Sequence, residues 1–198
     1  EGSLNAAIGY KSLYKNTTGG GNVAIGYASL LENTTGDVNT AVGNNADVSA
    51  GDLVNATALG YFAIVNASNK IRLGNTSVTA IEGQVSFTTS SDERLKESIT
   101  PIIEGLALVN DLNPVSYHRT NNPASDIEMG LLAQEVEATL RKHGLGNSGM
   151  GYQPTEDSYM SLRHNDLLAP MIKAIQELDD ASEAKDEQIA ALEQKLNF

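Results

Sequence analysis

The chain has 198 residues, a formal net charge of −12 and no cysteine, which excludes disulfide staples and thiolate metal sites. The charge is uneven: residues 1–90 carry 6 acidic and 4 basic side chains, and residues 91–198 carry 19 and 9. Neither part has a basic patch, so nucleic acid and anionic membranes are not expected partners. No apolar run approaches the roughly 20 residues that span a bilayer. The three histidines, His118, His143 and His164, lack short metal-ligand spacings. They are read as structural or solvated, with no metal and no cofactor expected. No signal peptide is visible, and the chain opens inside a repeat, so it is read as a piece of something longer.

The repeat fills the first half. Asn5-Ala6-Ala7-Ile8-Gly9-Tyr10 recurs as Asn22-Val23-Ala24-Ile25-Gly26-Tyr27 and as Asn39-Thr40-Ala41-Val42-Gly43-Asn44, and more loosely as Ala56-Thr57-Ala58-Leu59-Gly60-Tyr61. Gly9, Gly26, Gly43 and Gly60 are each 17 residues apart. Alternation places Val23, Ile25 and Tyr27 on one side and Asn22, Ala24 and Gly26 on the other. The Asn-Thr-Thr-Gly connectors at Asn16 and Asn33 supply turn chemistry. One such unit cannot bury its apolar side alone; stacked units can, which predicts a β-solenoid or β-roll over residues 1–90. With few aromatics, a single thin roll leaves apolar surface over, so an oligomer is expected.

The Asn-x-Ala-(Ile/Val)-Gly repeat resembles the head repeats of trimeric autotransporter adhesins, and similar repeats occur in phage tail-fibre shafts. The resemblance implies a trimeric β-roll. A generic β-solenoid without adhesive function fits as well, because the repeat gives architecture and not ligand. After Gly60 the period breaks, and residues 70–75, 77–81 and 84–89 read as further short strands. Sequons at Asn16, Asn33, Asn55, Asn66 and Asn75 are read as by-products of turn composition.

Past residue 91 glycine thins out and helical spacing begins. Residues 94–99 are expected to start a helix, and residues 102–109 to form an amphipathic one ended by Asn113-Pro114. Residues 115–118 read as a strand that 127–131 can pair with, and 132–143 as a helix closed by Gly144. Residues 144–154 read as a loop; its Gly144-x-Gly146-x-x-Gly149 lacks the strand–turn–helix setting of a dinucleotide site. Leu168, Met171, Ile175, Leu178, Ser182, Lys185, Ile189, Leu192 and Leu196 follow alternating steps of three and four, the a/d pattern of a coiled coil. A helix packed on its own domain is the other reading of that stretch.

The junction itself reads Ser90-Ser91-Asp92-Glu93-Arg94-Leu95-Lys96. Serine needs a base to act as a nucleophile, and a lysine can serve when its proton is removed. Ser90-x-x-Glu93 also matches a capping box, and Ser91 or Asp92 can cap a helix. On one α-helix Ser91 and Lys96 would stand about 140° apart. Ser91 is therefore expected before the helix, in extended chain, with Lys96 folding back or reaching across a subunit boundary.

Ser91-Asp92-x-Arg94-Leu95-Lys96, Asn113-Pro114-Val115-x-Tyr117, Gly130-Leu131-Leu132-Ala133-Gln134-Glu135-Val136 and Leu167-Leu168-Ala169-Pro170-Met171-Ile172-Lys173-Ala174-Ile175-Gln176-Glu177-Leu178 stand in this order. Together they resemble the C-terminal intramolecular chaperone domain of endosialidases and phage tail spikes, the self-cleaving peptidase S74 type. The resemblance covers residues 90–198. It implies an α+β chaperone domain over 91–198, ending in a coiled-coil helix at about 166–197, that trimerises and folds an upstream fibre. It then implies release by autoproteolysis between Ser90 and Ser91. Ser91 would be the nucleophile and Lys96 the base, with Asp92 and Arg94 as possible supporting residues. The expected partners are two further copies of the chain and the upstream fibre or adhesin segment. The expected setting is a virion tail fibre or spike, and the alternative is a non-cleaving trimerisation cap of a bacterial surface adhesin.

Overall fold

The computed structural model describes residues 1–103, 105–120, 127–146, 148–152 and 159–196. They form two compact units, one built on Glu1–Val85 and a second that begins at Ser86.

The first unit is a β-solenoid of about four turns. Its strands are β1 (Ala6–Ile8), β2 (Val23–Ile25), β3 (Thr40–Val42), β4 (Asp47–Val48), β5 (Thr57–Leu59), β6 (Ile64–Val65) and β7 (Ile71–Leu73). Five of them stack as one parallel sheet in the order β1-β2-β3-β5-β7, and β4 pairs with β6 in a second. Each rung aligns like with like: Ala7 faces Ala24, Ala24 faces Ala41 and Ala41 faces Ala58. The last rung sets Ala58 against Arg72, so the final turn is shorter, where the repeat fades.

The inside of the coil takes the small side of the alternation. Ala24, Ala41 and Ala58 are fully buried, with Leu30, Val48 and Val65 filling the opposite wall. Asparagine lines the rest. Asn5, Asn22 and Asn39 each accept, through Oδ1, the backbone N–H one turn on (Asn22, Asn39 and Ala56, all 2.8 Å). Their amide groups donate to Gly19, Gly36 and Leu53 carbonyls. A buried asparagine costs little only when both ends are paired, and these are. Asn33, a sequon residue, is buried in a parallel ladder and donates to Asn16 and Gly36. The glycine of each repeat is a steric requirement. At Gly26 φ is +134, and an added Cβ would lie 2.4 Å from the Gly43 carbonyl oxygen.

The residues left outside are the large ones. Ile8, Ile25, Val42, Leu59 and Leu73 form one exposed column along the sheet, beside the exposed Tyr10, Tyr27 and Tyr61. The rings of Tyr10 and Tyr27 stack at 5.5 Å.

The second unit is α+β. Its helices are α1 (Leu106–Asn110), α2 (Ala133–Lys142) and α3 (Leu168–Leu196). Strands β8 (Val115–Tyr117) and β9 (Glu128–Gly130) pair antiparallel, as do β10 (Gly151–Tyr152) and β11 (Ser161–Leu162). Leu108, Val136, Leu140, Met150 and Leu167 make its core. α1 sits against the first turns of α3 through Gly105, whose added Cβ would lie 2.4 Å from the Ala174 nitrogen. Glu177 of α3 reaches back and accepts from the Gly105 and Leu106 N–H groups at the start of α1, the latter at 2.7 Å. Those N–H groups hold the Glu177 carboxyl below the usual range.

Several expected elements differ. Residues 77–81 and 84–89 are not strands, and β7 is the last rung of the sheet. The helix expected over 94–99 is one 3₁₀ turn, Glu93–Leu95; it ends at Lys96, which is extended, and Ser98 beyond it stands at φ +55. The helix expected over 102–109 starts only at Leu106, since Gly105 is used for the close approach to α3. The expected loop 144–154 contains β10, which finds its partner in β11. Part of that loop, residues 147 and 153–154, lies outside the described residues.

Candidate functional site

Ser91 and Lys96 lie at the start of the second unit, on either side of the single 3₁₀ turn Glu93–Leu95. The Lys96 ammonium donates to Ser91 Oγ at 2.7 Å within one chain. The turn accounts for this geometry. Asp92 enters it extended (φ −63, ψ 138) and Lys96 leaves it extended (φ −125, ψ 143), so the chain reverses over three residues. Leu95 N–H bonds to Asp92 C=O and Lys96 N–H to Glu93 C=O, each at 3.0 Å. No residue of the turn is buried, so local bonds rather than packing hold it.

Asp92 is the N-cap. Its Oδ1 accepts the Arg94 backbone N–H at 2.9 Å. The Arg94 guanidinium then grips both carboxylate oxygens, Nε to Oδ1 at 2.9 Å and Nη2 to Oδ2 at 2.7 Å. That fork, and after it the Arg94 N–H, hold the Asp92 carboxyl below the usual range. Ser90 is not the cap, so the Ser90-x-x-Glu93 capping box is not formed. The Arg94 charge is paired with the Asp92 carboxylate.

The dyad is open to solvent in the single chain, with residues 86–99 exposed throughout. Carbonyl attack by Ser91 needs a base, which Lys96 is placed to be, and a donor for the developing oxyanion. Among the described residues no group of three or more His, Asp and Glu side chains is arranged to hold a metal ion. No helix among the described residues is long and apolar enough to cross a membrane.

One cluster carries no signal in the sequence. At the C-terminal ends of α1 and α2, Asp111 accepts from Lys142 at 2.8 Å and meets His143 Nε2 at 2.7 Å. Lys142, then His143, hold the Asp111 carboxyl below the usual range. His143 is thereby tied into the fold. His164 falls in the 3₁₀ turn that leads into α3.

α3 carries two stripes. Pro170, Ala174 and Glu177, at steps of four and three, face their own unit. Leu168, Met171, Ile175, Leu178, Ile189, Leu192 and Leu196 lie on an adjacent stripe and are exposed. Past Leu178 every described side chain of α3 is exposed.

Comparison with known proteins gives one family. No curated protein and no solved structure matches the chain. Residues 91–145 match the family model Peptidase_S74, chaperone of endosialidase. The matched segment opens on Ser91 and includes three of the four sequence blocks, while the block Leu167–Leu178 lies beyond it. Residues 91–145, which follow the β-solenoid, are thus similar to the chaperone-of-endosialidase domain of the Peptidase_S74 type.

Proposed function

We propose that this chain is a trimeric β-fibre segment followed by an intramolecular chaperone that cuts itself free between Ser90 and Ser91. The observation that carries the reading is the 2.7 Å contact between Lys96 Nζ and Ser91 Oγ at the first residues of the chaperone-domain match. In its neutral form Lys96 takes the Ser91 hydroxyl proton, and Oγ attacks the Ser90 carbonyl carbon. The C–N bond to Ser91 breaks and the nitrogen leaves with a proton as a free amine. This leaves an ester between the Ser90 carbonyl and Ser91 Oγ. Water hydrolyses that ester to a Ser90 carboxylate and restores the Ser91 hydroxyl. The substrate is already attached, so positioning does the work that binding does elsewhere.

Two exposed apolar surfaces support assembly with two further copies of the chain. One is the column Ile8, Ile25, Val42, Leu59 and Leu73, and the other is the a/d stripe of α3. Burying the rest of each such side chain contributes about 1 kcal/mol. We place the assembled fibre on a virion tail, with a bacterial surface adhesin as the other setting. The solvent exposure of Ser91 and Lys96 favours the second reading, a trimerisation cap that never cuts.

Intact mass of the purified chain and its variants separates the two. Wild type is expected to give two pieces, while Ser91→Ala and Lys96→Ala each give one chain of 20.9 kDa. A wild-type chain that stays whole as a folded trimer removes the peptidase and leaves the cap.

A further inference from the structure

A three-residue helix with no buried side chain should not persist on its two backbone bonds, because the nucleus of a helix is its most unfavourable part. Yet this turn decides whether Lys96 meets Ser91. Fully extended, five residues would carry the two apart by up to about 17 Å. What closes the turn is one carboxylate. Asp92 takes the Arg94 N–H, an orphan donor of the first turn, and is clamped from outside by the Arg94 guanidinium, making three bonds of 2.7–2.9 Å. Residue 92 immediately follows the nucleophile, and residue 94 precedes the base by two. The clamp therefore fixes the chain between them without touching either reacting atom.

We infer that Asp92, latched by Arg94, is the positioning residue of the dyad. It acts by holding the 3₁₀ turn that folds Lys96 back onto Ser91, rather than by tuning either group through its charge. This rests on the reading of Ser91 and Lys96 as nucleophile and base. Asp92→Ala removes both the cap and the clamp. Asp92→Asn keeps a cap oxygen and loses the ionic fork, and Arg94→Ala keeps the cap alone. Self-cleavage is expected to fall in that order of severity, about tenfold or more for Asp92→Ala and less for the other two.

The test needs a readout of position that charge alone moves the other way. A thiol introduced by Ser91→Cys reports its neighbour through the pH midpoint of its alkylation by iodoacetamide, read by mass spectrometry on the uncleaved full chain. An ammonium within contact lowers that midpoint, and Lys96→Met in the same background gives its value without the ammonium. Removing a nearby negative charge lowers the midpoint, as Glu93→Gln should show. Unlatching Lys96 raises it. Asp92→Ala is expected to raise the midpoint by about half a pH unit or more, toward the Lys96→Met value. A midpoint that stays or falls overturns the latch. Should the wild-type chain never cut, the peptidase reading fails, while this titration still decides whether Asp92 places Lys96.

Discussion

At the scale of single residues, carboxylates in this chain do two opposite things. Asp92 is exposed and stabilised in its charged form. Asp47 is buried inside the solenoid, in the register that Leu13 and Leu30 hold in earlier turns. Its carboxylate accepts the Val48 N–H at 2.8 Å and the Glu32 N–H at 3.1 Å. Burial outweighs those bonds and pushes its pKa from 3.8 up to about 6, and the neighbouring Glu32 carboxylate adds to the rise. Folding therefore takes up a proton at this site between those two values. Its stabilising contribution is fully present below about pH 3.8 and is lost as pH rises through about 6. Urea unfolding of wild type and Asp47→Asn, compared at pH 4 and pH 7.5, should show it. Wild type is expected to lose on the order of 2–3 kcal/mol relative to the variant across that range. Parallel curves would contradict the assignment. Among the described residues the other shifted carboxyls, Asp92, Asp111, Glu128 and Glu177, are all lowered. They act oppositely, so the difference between the two proteins is the quantity to read.

At the scale of elements, contacts in the second unit depend on small residues that let backbones approach. Gly105→Ala places a methyl group against the α3 backbone at Lys173 and Ala174. It should force α1 away from α3, at a cost of about 1–3 kcal/mol in thermal unfolding; an unchanged melting temperature would show that the contact is loose. Such positions mark where the sequence stops being legible. The rungs of the solenoid were readable because each repeats a side chain in register, Ala24 over Ala41 over Ala58. β8, β9 and α2 were readable from local pattern. The start of α1 was not, because Gly105 is chosen by its distance from residue 174 and not by its neighbours in sequence. β10 was not, because its partner β11 lies beyond residue 160. Which side of the alternation turns inward was also hidden: along the five-stranded sheet the coil takes alanine and paired asparagine inside, and the isoleucines and tyrosines go outside. At the junction the sequence supplied Ser91 and Lys96 as candidates. It could not tell Asp92 from Ser90 or Ser91 as the cap, since all three can accept the same N–H.

At the scale of the whole molecule, both units present apolar surface that the single chain does not use. α3 separates these roles on its own circumference: Pro170, Ala174 and Glu177 serve the unit, and Ile175 and Leu178 face away from it. Ile175→Asp should therefore leave the circular dichroism of the chain unchanged. It should also convert the proposed trimer to a monomer in sedimentation equilibrium. Loss of helix in the variant, or a trimer that survives it, would contradict the seam. Ser182 and Lys185 are polar positions in the same row, so its exposed apolar side chains are concentrated towards the two ends of the helix.

The central claim is a cut made by Ser91 on its own amino side, and N-terminal sequencing of the purified protein tests it most directly. The account predicts two N-termini in equal amount, one beginning at Glu1 and the other reading Ser91-Asp92-Glu93-Arg94. The second should be absent from Ser91→Ala and Lys96→Ala. A single N-terminus at Glu1 from folded, assembled wild-type chain would contradict it.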